Sequence, residues 1–189
     1  LTVRTATTED LPDVGELLAA AFHADPVSIW LFPDNDRRRA VQPSFFRTFA
    51  WLALESGGWI SLREDGLAAT VWFPSGDDDE EDVMSLFDML TDEEAKRFAH
   101  LSELMAEHHP DRGEHRHLQF IAVHPDRQRH GIGGDLLAHD LSALGDMPAY
   151  LEASSQLSIP LYQRHGFEHI GTPFDPDPDA RMYPMWRAG

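Results

Sequence analysis

The sequence predicts a mixed α/β fold, on three observations. Short apolar runs of strand character alternate along the chain with segments whose apolar residues recur every three or four positions. The order of these segments reads βα(α)ββ(α)βαβαββ, with neither helices nor strands segregated to one end. The chain has 189 residues, 42% of them hydrophobic, with eleven phenylalanines and five tryptophans. That is the length of one ordinary domain, at roughly 100–200 residues each, with enough apolar volume for a packed core.

The elements follow in order. Val3 to Ala6 reads as a first strand. Thr8-Glu9-Asp10-Leu11-Pro12 opens a helix, with Thr8 or Asp10 as cap and Pro12 in the first turn. Leu11, Val14, Leu17, Leu18, Ala21 and Phe22 continue it at helical spacing, and Asp25-Pro26 ends it. Trp30-Leu31-Phe32-Pro33 reads as an aromatic turn. Arg37 to Glu55 is expected to be mostly helical, with Pro43 marking a kink or the true first turn, until Gly57-Gly58 stops it. Trp59–Arg63 and Leu67–Phe73 flank Asp65-Gly66, a tight hairpin signal. The six consecutive acids Asp77 to Asp82 read as a solvated loop or helix start, and Val83 to His108 as helix. The expectation is therefore a single domain over 1–189 with a helical insertion at about 76–112.

Next come a strand at His117–Val123, a polar loop at 124–130 and a helix at Gly131–Leu144 with Ile132, Leu136, Leu137 and Leu141 on one side. Pro148–Ala153 reads as a strand, and Ile159–His165 as a short helix closed by Gly166. Phe167–Gly171 and Arg181–Trp186 read as final strands joined by an Asp/Pro loop at 173–179. The segment Met182–Trp186 leaves open whether it pairs within the sheet or across a homodimer.

Composition excludes several classes of function. Fifteen basic against 33 acidic residues give a net charge of −18, which repels phosphate backbones and attracts amines. Nucleic acid is not an expected partner; a small-molecule amine is. With no cysteine there are no disulfides, thiolate metal sites or cysteine nucleophile. No apolar run approaches 18 residues and no basic-then-apolar leader is visible, so a cytoplasmic protein without a membrane partner is expected. Several histidines crowd residues 108–124, but without HExxH or cysteine the expected metal is none. A serine hydrolase would need Gly-x-Ser-x-Gly, which is absent.

The informative segment is His117 to Phe167. Gln128-Arg129-His130-Gly131-Ile132-Gly133-Gly134 lies between a strand and a helix. Glycines there permit positive φ and close approach of a ligand to the backbone. The first amides of the following helix have no internal partner and carry partial positive charge. Together they form a cradle for an anion such as a pyrophosphate. A Walker loop would need Lys-Ser/Thr where Asp135 follows Gly134. A dinucleotide fingerprint would need a third glycine at Leu136 and a shorter loop after Val123, although Glu152 lies at a suitable distance.

A third pattern fits. Gln-x-x-Gly-x-Gly at 128–133, preceded by Val123-His124-Pro125 and followed by Leu136-Leu137, resembles the acetyl-CoA site of the GNAT superfamily of N-acetyltransferases. Leu151-Glu152-Ala153-Ser154 and Leu161-Tyr162-Gln163-Arg164-His165-Gly166-Phe167 resemble the ending of its puromycin N-acetyltransferase-like branch. Asp25-Pro26-Val27, Trp30-Leu31-Phe32-Pro33 and Val71-Trp72-Phe73-Pro74 are similar to that branch as well. The resemblance implies a mostly antiparallel central sheet with a splayed parallel strand pair, flanked by helices.

It also implies roles. Ile121, Ala122 and Val123 would pair with the pantetheine arm of acetyl-CoA, and Gln128, Arg129, His130, Gly131, Ile132, Gly133 and Gly134 would hold its pyrophosphate. Tyr162 matches the tyrosine that protonates the departing thiolate, and Ser158 stands where the family commonly has an asparagine near the pantetheine. The acceptor amine must lose a proton before it attacks, and Glu152 is the leading candidate base, with His115 and His117 as rivals. Those two histidines lie in His115-Arg116-His117-Leu118, where the branch has His-Trp-Tyr-Leu, so base and acceptor specificity stay open. Asp25, Trp30 and Trp72, with His115 and His117, are the expected acceptor contacts, suited to a cationic amine. Without cysteine, transfer is expected to be direct, in a ternary complex. The alternatives are a non-catalytic acyl-CoA sensor and a peptide or protein N-acetyltransferase.

Overall fold

The computed structural model describes residues 2–75 and 86–189. The acidic run Asp77 to Asp82 and the start of the expected helical insertion lie outside the described residues. Among the described residues, no helix is long and apolar enough to cross a membrane.

Strand β1 (Val3–Thr5) leads through a 3-10 turn at Thr8–Asp10 into helix α1 (Leu11–Phe22). Pro12 sits in its first turn, and the stripe Leu11, Val14, Leu17 and Leu18 is buried. Helix α2 (Pro26–Leu31) corrects the expected aromatic turn, because it contains Trp30 and Leu31. Asp25 does not merely end α1. Its Oδ1 accepts from the Val27 and Ser28 amides at 2.9 and 3.3 Å, and Pro26 takes N1, where its missing N–H costs nothing. Helix α3 (Asn35–Glu55) is capped by Asp34 and runs through Pro43. Gly15 of α1 lies against the Pro43 carbonyl, and a Cβ there would come within 2.5 Å of it, so this glycine is what lets the two helices pack so closely.

Strands β2 (Trp59–Arg63) and β3 (Ala68–Pro74) form the expected hairpin, with Gly66 at φ +71°. Helix α4 (Asp92–His108) starts on a Thr91/Glu94 capping box. Glu94 also accepts from Arg37 Nη2 at 2.9 Å, which fixes the start of α4 against the start of α3. Strand β4 (Arg116–Val123), helix α5 (Ile132–Leu144), strand β5 (Ala149–Ala153) and helix α6 (Ile159–Arg164) follow. Strands β6 (Glu168–His169), β7 (Phe174–Asp177) and β8 (Ala180–Arg187) close the chain.

The strands form one sheet in the order β1-β2-β3-β4-β5-β8-β6, with β7 added on β8. Among the described residues, β4 and β5 alone are parallel neighbours; the other pairs are antiparallel. Strand β8 pairs within this sheet, which settles where Met182–Trp186 goes. Segment 173–179 is not all loop. Phe174 is buried and β7 is an edge strand, where the missing N–H of Pro176 is tolerated.

Helices cover both faces. Residues of α1, α3 and α4 pack on Ile60, Leu62, Ala69, Val71, Phe73 and Ala122. On the other face, α5 and α6 pack on Trp72, Leu118, Leu151 and Met185. The β3–β4 register slips by one residue: Val71 faces Phe120, whereas Trp72 faces Leu118, leaving Gln119 as a bulge. Leu118 consequently belongs to one core, and Phe120 and Ala122 to the other.

Candidate active site

The parallel pair β4–β5 is joined only at Arg116↔Ala149 and His117↔Tyr150. Beyond those positions the strands separate, so Leu118–Val123 keeps its ladder with β3 alone and Leu151–Ala153 with β8 alone. On the wedge side, the backbone groups of β4 that point away from β3, those of Ile121 among them, have no strand partner and are open to an extended polar ligand that can pair like a strand. The Gln128 side chain closes its lower end, Nε2 donating to the Val123 carbonyl at 3.1 Å.

The loop below the wedge has the geometry of an anion cradle. Arg129 adopts φ +64° and Gly131 φ +82°, left-handed conformations that turn successive amides toward one side. The Asp135 amide bonds the Gly131 carbonyl at 3.0 Å, which leaves Ile132, Gly133 and Gly134 as the partnerless first turn of α5. Gly133 lies against Val123 and Ile121, and Gly134 against His165 and Leu161. Cβ atoms at either position would start at 3.4 Å from these neighbours, so glycine keeps this helix end tight against the wedge. The His130 ring folds back on the Gln128 carbonyl at 2.8 Å. A phosphate-bearing ligand with an extended amide arm fits this combination of helix end and open strand.

A continuous cavity of about 1190 Å³ runs from the wedge up between β4, α3 and α4. At its polar end stands Glu152, with a side chain only 2% exposed. Its Oε2 accepts from His117 Nε2 at 2.7 Å, and its Oε1 has no partner among the described residues. A carboxylate only accepts, so His117 carries its hydrogen on Nε2 and keeps Nδ1 bare when neutral. His115 is buried and differently engaged: its Nδ1 donates to the Gly113 carbonyl at 2.7 Å, and its Nε2 lies 3.1 Å from His109 Nε2. Both of its nitrogens are therefore used, and His117 is the histidine with a free one. Tyr150 is buried beside Glu152, and burial plus the neighbouring carboxylate push its phenol far above its ordinary range.

Tyr162 is buried at the wedge and lines the same cavity. Burial pushes its phenol up to about 12, with the Asp25 charge acting in the same direction and the nearby Ser158 hydroxyl against it. Ser158 itself donates to the Ser155 carbonyl at 2.8 Å. Asp25 reaches the site from α2, and its Oδ2 accepts from Ser154 Oγ at 2.5 Å. Burial raises its pKa, opposed by that hydrogen bond and by the two amides it caps.

Two expected acceptor contacts are elsewhere. Trp72 lies on the opposite face of the sheet, fully buried, stacked on Trp59 and donating from Nε1 to Asp140 at 2.8 Å. Strand alternation puts it there: Val71 and Phe73 point to one face and Trp72 to the other. Trp30 packs between α2 and α4, its ring edge-on to His100, and does not line the cavity. Asp25, His115 and His117 do line it.

The sequence reading missed Tyr150, His109 and Ser154. Tyr150 was findable, because two-residue alternation puts it on the face of Glu152. His109 was visible only as one of the histidines crowded at 108–124, and its contact with His115 is made through the turn after α4.

Residues 92–169 match the model of a family described as the acetyltransferase (GNAT) domain. Among solved structures, the chain resembles a histone acetyltransferase HPA2 and related acetyltransferase from Corynebacterium glutamicum. The identity is 27%, over 99% of this chain and 95% of that one, with a TM-score of 0.72. Arylalkylamine N-acetyltransferase 2 from Aedes aegypti shares the fold at 17% identity, covering 99% and 98% of the two chains, with a TM-score of 0.66. PaiA N-acetyltransferase from Thermoplasma acidophilum, in complex with coenzyme A, shares it at 11% identity, covering 100% and 98%, with a TM-score of 0.57.

Proposed function

We propose that this chain, with its match to the GNAT acetyltransferase domain, is an acetyl-CoA-dependent N-acetyltransferase that acts as a single domain on a small primary amine, by direct transfer in a ternary complex. The observation that carries the reading is the unpartnered Oε1 of a buried Glu152, supported by His117 and sharing one cavity with Tyr162. Unsatisfied buried carboxylate oxygens are costly, and sites of reaction are where such costs are kept.

Acetyl-CoA, when bound, supplies an activated acyl thioester. Ile121, Ala122 and Val123 would hold its arm; Gln128 to Gly134 would hold its pyrophosphate, with Ser158 near the arm. The amine arrives as an ammonium, since alkyl amines have pKa values near ~10. The Glu152–His117 pair takes its proton, at Glu152 Oε1 or at the bare His117 Nδ1. Holding the amine beside the thioester then contributes much of the rate. Tyr162 would hold the proton that the departing thiolate takes up, and the second proton lost by the amine nitrogen as it becomes an amide would restore the phenol. A phenol held up at about 12 keeps its proton at neutral pH and is available to donate.

Calorimetric titration with acetyl-CoA, followed by thiol release with a panel of amines, tests the reading. The absence of cysteine removes any protein background from the thiol assay. One-site acetyl-CoA binding and amine-dependent thiol release are expected. A folded protein that binds no acyl-CoA would remove the basis of the proposal.

A further inference from the structure

We infer that the acceptor is a monoamine with an aromatic or bulky apolar body, not a polyamine, an inference that rests on the acetyltransferase reading above. The cavity wall carries it. Beyond the polar end, the half-buried rings of Phe49 and Phe120 face the cavity, backed by the buried rings of Phe32, Phe45, Phe46 and Phe98 from the residue after α2, from α3 and from α4. These rings form a network of edge-on contacts: Phe45 to Phe49 at 5.2 Å, Phe46 to Phe120 at 5.2 Å and Phe49 to Phe120 at 5.4 Å. Such a wall is preorganised for a flat apolar group, which joins ring edges and faces already in favourable geometry.

Charge placement excludes the competing class. Among the described residues that line the cavity, the acids are Asp25, Glu103, Asp111 and Glu152, and there is no lysine or arginine. Asp25 is committed to the α2 cap and to Ser154. Glu103 and Asp111 are exposed residues near the end of α4 and beyond it. Glu152 is left to meet one ammonium at the polar end. A second ammonium carried into the phenylalanine-lined part would be desolvated without a partner. A carboxylate on the acceptor would find no lysine or arginine to pair with. The exposed acids still have a use, since they add to the negative field that draws cations toward the cavity.

Size agrees. A pocket for one ligand is typically about 300–1,000 Å³. A cavity of about 1190 Å³ has room for an acyl arm at the wedge and a ring-bearing amine above it.

The test uses the intact chain with saturating acetyl-CoA and compares kcat/KM for phenethylamine and tryptamine with agmatine and spermidine. The ring-bearing amines should lead by at least about tenfold, the scale on which apolar pockets discriminate. Phe49→Ala should raise KM for tryptamine several-fold and leave KM for a short alkylamine nearly unchanged. Parity, or preference for agmatine or spermidine, overturns the inference. If no amine is acetylated, calorimetry with the coenzyme A complex separates the two readings. Tryptamine binding tighter than agmatine upholds the pocket assignment and refutes the transferase, whereas binding of neither refutes both.

Discussion

Replacing Asp140 by alanine removes a buried carboxylate that joins α5 to two strands at once. Oδ1 accepts from Ser61 Oγ at 2.6 Å, and Oδ2 accepts from Thr70 Oγ1 at 2.5 Å and Trp72 Nε1 at 2.8 Å. His139 Nδ1 adds a longer contact at 3.2 Å from the same helix. Hydrogen bonds to a charged group contribute about 1.5–3 kcal/mol each, and a buried donor left alone costs about 1–3 kcal/mol. Against this stands the desolvation of the carboxylate, several kcal/mol, which the alanine variant no longer bears. The net expectation is a loss of about 3–5 kcal/mol. In a chain of this size that lowers Tm by about 6–20 °C, at ~2–4 °C per kcal/mol. Asp140→Asn should lose less, about 1 kcal/mol, because its carbonyl can still accept from Trp72 and the two hydroxyls can rotate. Urea unfolding monitored by tryptophan fluorescence reads both variants, and an unchanged slope certifies that the midpoint reports stability. An alanine variant within about 1 kcal/mol of wild type, or one more stable than the asparagine variant, would show that these bonds do not hold α5 to the sheet.

Three further outcomes are expected. Glu152→Gln should lower kcat by roughly 10²–10⁴-fold while the acetyl-CoA Kd stays within about twofold, and equal losses in both would mean that Glu152 only shapes the wedge. Tyr162→Phe should lower kcat far more than acetyl-CoA affinity; with the phenol at about 12, wild-type kcat should show no decline between pH 8 and roughly 10 from loss of this donor. A decline abolished in the phenylalanine variant would contradict that placement. For Asp25 the folded pKa is raised, so its contribution to stability is full below its unfolded pKa of about 3.9 and is lost as pH rises through the folded value. Asp25→Asn, which caps a helix as well as aspartate does, should therefore gain Tm relative to wild type between pH 4 and pH 8. A constant or shrinking difference would refute the raised pKa.

The strands and helices that build the cradle were legible because local chemistry specifies them. β2 was read with its observed bounds, and the start of α5 follows from Gly131 and the glycines behind it. Glu152 and Tyr162 were placed in one site by the resemblance of their motifs to the GNAT pattern, and the structure has both lining one cavity. What failed has a physical reason in each case. The orientation of Trp72 gave no periodic signal, since Ala68 to Phe73 are all buried and a strand covered on both faces shows no alternation. Helix α2 was hidden because Asp25-Pro26 reads equally as a stop and as a start. Asp140 looks in sequence like any polar residue of an amphipathic helix; its partners lie about 70 residues away, on β2 and β3. The phenylalanines were visible as apolar residues, but which of them border the cavity depends on how α3, α4 and β4 are spaced.

The bulge at Gln119 divides β4 into two halves of opposite parity. In an uninterrupted strand, odd and even positions keep to their own sides from end to end, and His117 could not share a side with Phe120. The one-residue phase slip puts them together: the imidazole that holds Glu152 and the ring that walls the acceptor end line one cavity. It also falls next to the position where β5 departs, so the half bearing His117 is braced by neighbours on two sides and the half from Phe120 onward by one. A single irregularity of backbone register thus separates the stretch to which we assign proton chemistry from the stretch left free of a second strand partner. Each can vary in sequence without putting the other out of phase.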